Sequence, residues 1–137
     1  MNKPQIKIHF GIQFDLEQPL NEIKDLYSRL KKSKVVKHIF TKQIPKNEIL
    51  EEYYQISITL NDNWMHSFDL EEALDIFLNE IDVNKLADIS NQFEGSTILY
   101  IAAMPSLDVY PSLTISSNQL KTFNKFYEFS LDIEIYN

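Results

Sequence analysis

The sequence contains no cysteine and only two glycines, Gly11 and Gly95. The first absence excludes disulfides, thiolate metal centres and cysteine nucleophiles. The second excludes the phosphate loop and the dinucleotide fingerprint, which need several glycines close together. There is no HExxH, no histidine pair four residues apart and no G-x-S-x-G elbow. No apolar run approaches the roughly 18 residues of a membrane span, and the opening "MNKPQIKIHFGIQF" places polar residues at every second position, breaking any signal-type apolar region. The chain is expected to be cytoplasmic and unprocessed, with no cofactor, no metal and no membrane partner.

What is present is a globular composition. With 137 residues, 44% hydrophobic and 12% aromatic, the expectation is one domain spanning residues 1–137. A chain of this size buries about two thirds of its unfolded surface around a core.

The net charge of -7 conceals an asymmetry: residues 1–46 carry ten Lys/Arg against four Asp/Glu, and residues 47–137 three against sixteen. Seven bases and no acid fall within residues 29–46, and nine acids with the single base Lys85 within residues 62–94. Such a layout bears on encounter rates and partner choice more than on fold.

Periodicity supplies the elements. "QIKIHFGIQF" alternates Ile6, Ile8, Phe10, Ile12 and Phe14, a half-buried strand. "LNEIKDLYSRLKK" sets Leu20, Ile23, Leu26, Tyr27 and Leu30 at helical spacing, with acids early and bases late. "KVVKHIFTK" and "EEYYQISITL" read as strands. "SFDLEEALDIFLNEI" is a helix capped by Ser67 or Asp69, and "VNKLADISNQF" a shorter one capped by Asp82 and ended near Gly95. "STILYIAAM" reads as a central strand buried on both faces, and "VYPSLTIS" as an edge or bulged strand because of Pro111. "SSNQLKTFNKFYEF" gives a helix from Ser116 or Ser117. "LDIEIY" closes the chain as a strand with Leu131, Ile133 and Ile135 on its core face. The order β-α-β-β-α-α-β-β-α-β predicts an α+β fold: a mixed, mostly antiparallel sheet with helices packed on one side.

Chemistry-bearing residues are few. His9 and His38 fall on what reads as the polar register of strands. His66, in "NDNWMHSFD" beside Trp64 and near Asp62 and Asp69, is the best general acid/base candidate and supports a hydrolase or transferase alternative. Asn61, Asp62, Asn63 and Asp69 offer oxygen ligands but lack the glycine and terminal Glu of a calcium loop. The basic stretch of residues 29–46 admits a nucleic-acid reading. The sequence pI of 4.9 and a single aromatic, Phe40, oppose it, and no nucleic-acid partner is expected.

The right-hand part of the chain, "W" at 64 with "FDLEEALDIFLNEI", then "LADISNQFEGSTILYIAA" and "LTISSNQLKTFNKFYEFSLDIEIYN", has a recognisable pattern. Trp64 ahead of an acidic helix with Leu70 and Glu71, a helix start with Ser116 and Leu120, and an ending with Asp132 or Glu134 and Tyr136 carry it. The sequence resembles the bacterial family known as domain of unknown function 4279. The strand "IHFGIQF" and the helix after it fit the family's opening; "KVVKHIFTKQIPK" stands where the family has glycine and proline signals. The resemblance implies an α+β domain, no established activity and no catalytic residue to transfer.

These readings converge on a small acidic bacterial protein-binding domain. The leading function is an immunity protein that neutralises a cognate basic toxin domain, such as a nuclease of a contact-dependent or polymorphic toxin system. Its expected partner-binding residues are Trp64, Asp69, Glu71, Glu72, Asp75 and Glu80, the aromatic as anchor and the acids as electrostatic complement. No catalytic residue is assigned under this reading.

Overall fold

The structure, a computed structural model, describes residues 3–43, 52–62 and 64–136. The expected start of the third strand at Glu51, the base Lys46 and the ligand candidate Asn63 lie outside the described residues. The elements run β1 (Gln5–Asp15), α1 (Leu20–Ser28), β2 (Val36–Gln43), β3 (Tyr53–Leu60), β4 (Met65–His66), α2 (Leu70–Asn79), α3 (Val83–Gln92), β5 (Ser96–Met104), α4 (Ser117–Phe123) and β6 (Glu128–Ile135). The sheet order is β2-β3-β1-β5-β6, with the two-residue β4 also on β1; every pairing is antiparallel except β5 with β6. This is the expected α+β class with a mixed, mostly antiparallel sheet.

β1 lies in the middle because its alternation fits both neighbours. Its inward row, Ile6, Ile8, Phe10, Ile12 and Phe14, is at most 2% exposed, and burying each such side chain contributes about 1.5–3 kcal/mol. Across it stand Ile58 and Ile56 of β3 and Leu99 and Ile101 of β5. The buried faces of the helices, including Ile23, Leu74, Phe77, Leu86, Ile89 and Phe123, join the same cluster. Phe10 meets Phe126 edge-on at 5.0 Å and Phe123 at 6.0 Å, tying α4 and the turn after it to the central strand.

The caps follow the sequence signals. Asp69 accepts from the Glu71 N–H, Asp82 from the Lys85 N–H, and Ser116 with Gln119 forms a reciprocal capping box. Ser67 instead braces Asp69, donating to its carbonyl and accepting from its N–H.

Five expectations are corrected. α1 ends at Ser28 because Arg29 and Leu30 donate to carbonyls only three residues back, tightening the last turn; Leu30 is buried beyond it. α4 stops at Phe123, and Glu128 and Phe129 of "FYEF" begin β6. "VYPSLTIS" is no strand: Pro111 has no N–H to give a ladder, and Ser112 fastens the segment by backbone bonds to Phe68 and Leu70 ahead of α2. Just before it, Ser106 and Val109 exchange hydrogen bonds around Leu107 and Asp108, both at positive φ, a tight two-residue reversal. β5 is buried on both faces only near its end, at Ala102 and Ala103; before that, Ile98 and Tyr100 on the second face are half-buried. Finally, β6 directs Leu131, Ile133 and Ile135 to the inward side as expected, yet among the described residues no layer covers them: they are 41%, 37% and 51% exposed.

Gly95 is needed for space rather than for turning. The left-handed residue after α3 is Glu94, at φ 51, while a Cβ on Gly95 would lie 2.5 Å from Phe14 and 2.7 Å from Ile12. Gly95→Ala is therefore expected to cost about 1–3 kcal/mol in urea denaturation. Gly11→Ala, whose Cβ would meet only the Gln55 side-chain amide at 3.1 Å, should stay within about 1 kcal/mol of the parent. Glu94→Gly should raise stability by about 1 kcal/mol, by relieving the left-handed backbone.

Candidate functional site

The six residues expected to bind a partner do not form one surface. On α2, Asp69 is occupied as the helix cap. Asp75 accepts from the amide of Gln119 at 2.8 Å, and the same nitrogen donates to the Glu71 carbonyl at 2.7 Å; Gln119 itself is buried. Glu80 accepts from the Ser33 hydroxyl. Glu72 is exposed, and its carboxylate has no hydrogen-bond partner among the described residues. Of the five predicted acids, Asp75 and Glu80 thus hold α2 to its neighbours through their carboxylates, and Asp69 caps the helix itself.

The solvent face of α2 is the set Glu72, Asp75, Ile76 and Asn79, all exposed and spaced as one helical stripe. Ile76 is 46% exposed among polar neighbours. Sequence reading, which looks for apolar residues on the inward stripe, passed over Ile76; its position opposite Ala73, Leu74 and Phe77 is the signal that finds it.

Trp64 is placed elsewhere. It is half-buried against Tyr136, ring centroids 5.9 Å apart, immediately beyond the end of β6. Tyr100 joins this group: its hydroxyl donates to the Glu134 carboxylate. Hydrogen bonding to Glu134, then to Tyr136, raises the Tyr100 phenol well above its ordinary value, so it stays a donor. The open face of the sheet therefore carries Trp64, Tyr136, Tyr100 and Glu134, with His9 opposite Tyr100. The strand register that assembles this group pairs Tyr100 with Asp132 and brings its hydroxyl to a carboxylate 34 positions away, and nothing in the local sequence announces it.

The histidines are scattered. His66, on β4 opposite Gln5, is exposed, and its side chain makes no hydrogen bond among the described residues. Asp69, one of its proposed partners, accepts from the Glu71 N–H as the helix cap. His38 corrects the expected polar register: it stands opposite Ile58, on the inward side between Val36 and Phe40. Its ring packs at 6.4 Å from Tyr27, and its Nε2 is buried with no hydrogen-bond partner among the described residues.

The oxygen-ligand candidates are also dispersed. Asn61 donates to the Lys34 carbonyl, and among the described residues no three His, Asp or Glu side chains are placed to share a metal ion. A groove of about 720 Å³ lies between α1 and α3, lined by Leu26, Arg29, Lys85, Asp88, Ile89 and Gln92. Lys85 there donates to the Arg29 carbonyl, so the groove is closed at one side by a bond of its own walls.

Comparisons of the chain with protein-family models, with curated proteins and with solved structures find no match. Among the described residues no helix is long and apolar enough to cross a membrane.

Burial, then the nearby Lys32 charge, lower the His38 pKa below its ordinary 6.5. The folded state then binds fewer protons than the unfolded one between the two pKa values, so its contribution to stability is complete above about 6.5 and is lost as pH falls. Burial and Lys7 shift His9 the same way. Thermal melts should show stability declining on acidification from pH 7.5 through 6.5 and below. His38→Phe, which keeps the ring and removes the unpartnered nitrogen, should flatten that decline.

Proposed function

We propose that the chain is a small acidic protein-binding domain that acts as an immunity protein in the bacterial cytoplasm, capturing and neutralising a cognate basic toxin domain such as a nuclease of a contact-dependent or polymorphic toxin system. The likeness to the domain of unknown function 4279 family is part of this proposal and adds no activity to it.

The observation that carries the reading is the exposed stripe of α2, where Ile76 stands one helical turn after Glu72 and next to Asp75, in a region of nine acids and one lysine. Binding energy concentrates in an apolar anchor ringed by polar groups, while unpaired charge around it sets encounter rate and partner choice. Glu72 on this stripe and Asp88 on α3 are exposed, and among the described residues neither carboxylate holds another element, so both are free to contribute charge to the encounter. Asp69, Asp75 and Glu80 contribute field while serving the fold. Trp64 has a place in the reading only at the end of β6, where Tyr136 backs it.

The test is to search the adjacent genes for a basic toxin domain and to measure association kinetics with that domain once purified; adjacent genes without one count against the reading. Glu72→Lys with Asp88→Lys should slow association by about tenfold at low ionic strength, with a difference that shrinks as salt is raised. Ile76→Ala should instead speed dissociation. Rates and salt dependence that match the parent would remove the acidic-surface reading.

A further inference from the structure

We propose that the outer edge of β6 is a docking strand for an extended segment of a basic partner, in which apolar residues alternate with lysine or arginine. The inference rests on the reading of the chain as a binder of a basic protein and assigns the contact a place and a geometry.

β6 ends the sheet, and among the described residues only β5 pairs with it. The Tyr136 N–H donates to the Ala103 carbonyl at 2.9 Å. With a period of two, the even-numbered residues of β6 turn their backbone groups to β5, and Leu131, Ile133 and Ile135 turn theirs outward. These same three residues have the uncovered apolar side chains, 37–51% exposed. A free backbone ladder and an apolar row thus coincide, which is what strand addition uses.

The charges define what can pair. The other row of β6 holds Glu128, Asp132 and Glu134, and the strand "EFSLDIEI" contains no lysine, arginine, proline or glycine. Glu134 is held by the Tyr100 hydroxyl and Glu128 by Ser96, so two of the three carboxylates are fixed before a partner arrives. The opposite edge of the sheet, β2, carries Lys37 and Lys42, the usual protection of an edge. A second copy pairing antiparallel through β6 would set Asp132 against itself or against Glu134, and like charges directly opposite each other are destabilising. An incoming antiparallel strand with bases across from Asp132 and Glu134 and apolar residues across from Leu131, Ile133 and Ile135 satisfies both rows.

The experiment uses the full chain and a capped eight-residue peptide of alternating valine and lysine, followed by amide hydrogen exchange of β6 and by fluorescence of Trp64, the only tryptophan. The peptide should slow exchange at Leu131, Ile133 and Ile135 by about tenfold or more, an effect absent with a glutamate-for-lysine peptide and with one carrying a central proline. Ile133→Lys, at an exposed position, should abolish the protection without lowering the thermal midpoint, and Asp132→Lys should reverse the preference between the basic and acidic peptides. No slowing, equal slowing by the acidic peptide, or protection unchanged in both variants overturns the proposal. A toxin domain that binds while the three amides stay unprotected also overturns it and leaves the basic-partner reading standing. Peptide protection of β6, together with failure of the neighbouring toxin to bind, supports the docking strand and overturns the wider reading.

Discussion

The structure depends on the two-sided pairing of β1. Its inward row is almost wholly buried, and its centre is fixed by neighbours across both ladders: Phe10 lies between Ile58 and Leu99, and Ile12 between Ile56 and Thr97. A shift of one residue in either ladder would bring Lys7, His9 and Gln13 under the helices and put the isoleucines in water. That penalty fixes the register of β3 and β5, and through them the faces presented by β2 and β6. Gly95 belongs to the same constraint, because the chain returning from α3 must pass close over Phe14 and Ile12 to enter β5.

The split of charge along the sequence is partly resolved within the molecule. The basic stretch after α1 and the acidic junction of α2 with α3 lie side by side: the Lys31 N–H donates to Asp82 at 3.0 Å, Ser33 bonds Glu80, and Lys85 donates to the Arg29 carbonyl at 3.0 Å. Lys32 sits 4.7 Å from the centre of the Tyr27 ring. None of these contacts is an ion pair; each of the three hydrogen bonds uses one charged group and one backbone or hydroxyl group, so the net charges of both segments survive. An acidic segment that is held in place by hydrogen bonds can still project its field outward, which reconciles the structural use of Asp75 and Glu80 with an electrostatic role for the region.

Local signals were legible where local physics decides. The alternation of β1, the caps at Asp69, Asp82 and Ser116, and the apolar stripes of α2 and α3 all follow from neighbours within a few residues. Errors arose where the deciding partner is distant. The polar type of His38 points outward, while its face is set by Ile58 across the ladder. "VYPSLTIS" has strand composition, and only the anchorage of Ser112 beside α2 shows why it forms no ladder. "STILYIAAM" has the run of a doubly buried strand; small residues at 102 and 103 and the open face beside Ile98 and Tyr100 explain the same composition. For the candidate site, the α2 acids were legible as charge, but which of them are committed to hydrogen bonds was not.

The exposure of β6 has a geometric cause. The step from β5 to a parallel β6 requires a crossover, and this one carries α4 across the inward face. A helix of seven residues rises about 10 Å, whereas an eight-residue strand spans about 26 Å. Phe123 at the end of α4 stacks on Phe129 at 4.9 Å, so the cover is placed over the start of β6 and ends before Leu131. The period of two in the closing sequence is therefore a correct sign of which side chains face inward, but inward here leads to an uncovered margin. A longer α4 would have buried Leu131, Ile133 and Ile135 and reduced Asp132 and Glu134 to the wet side of a finished sheet. With the short one, the apolar row and the acidic row are both left open along one free backbone edge.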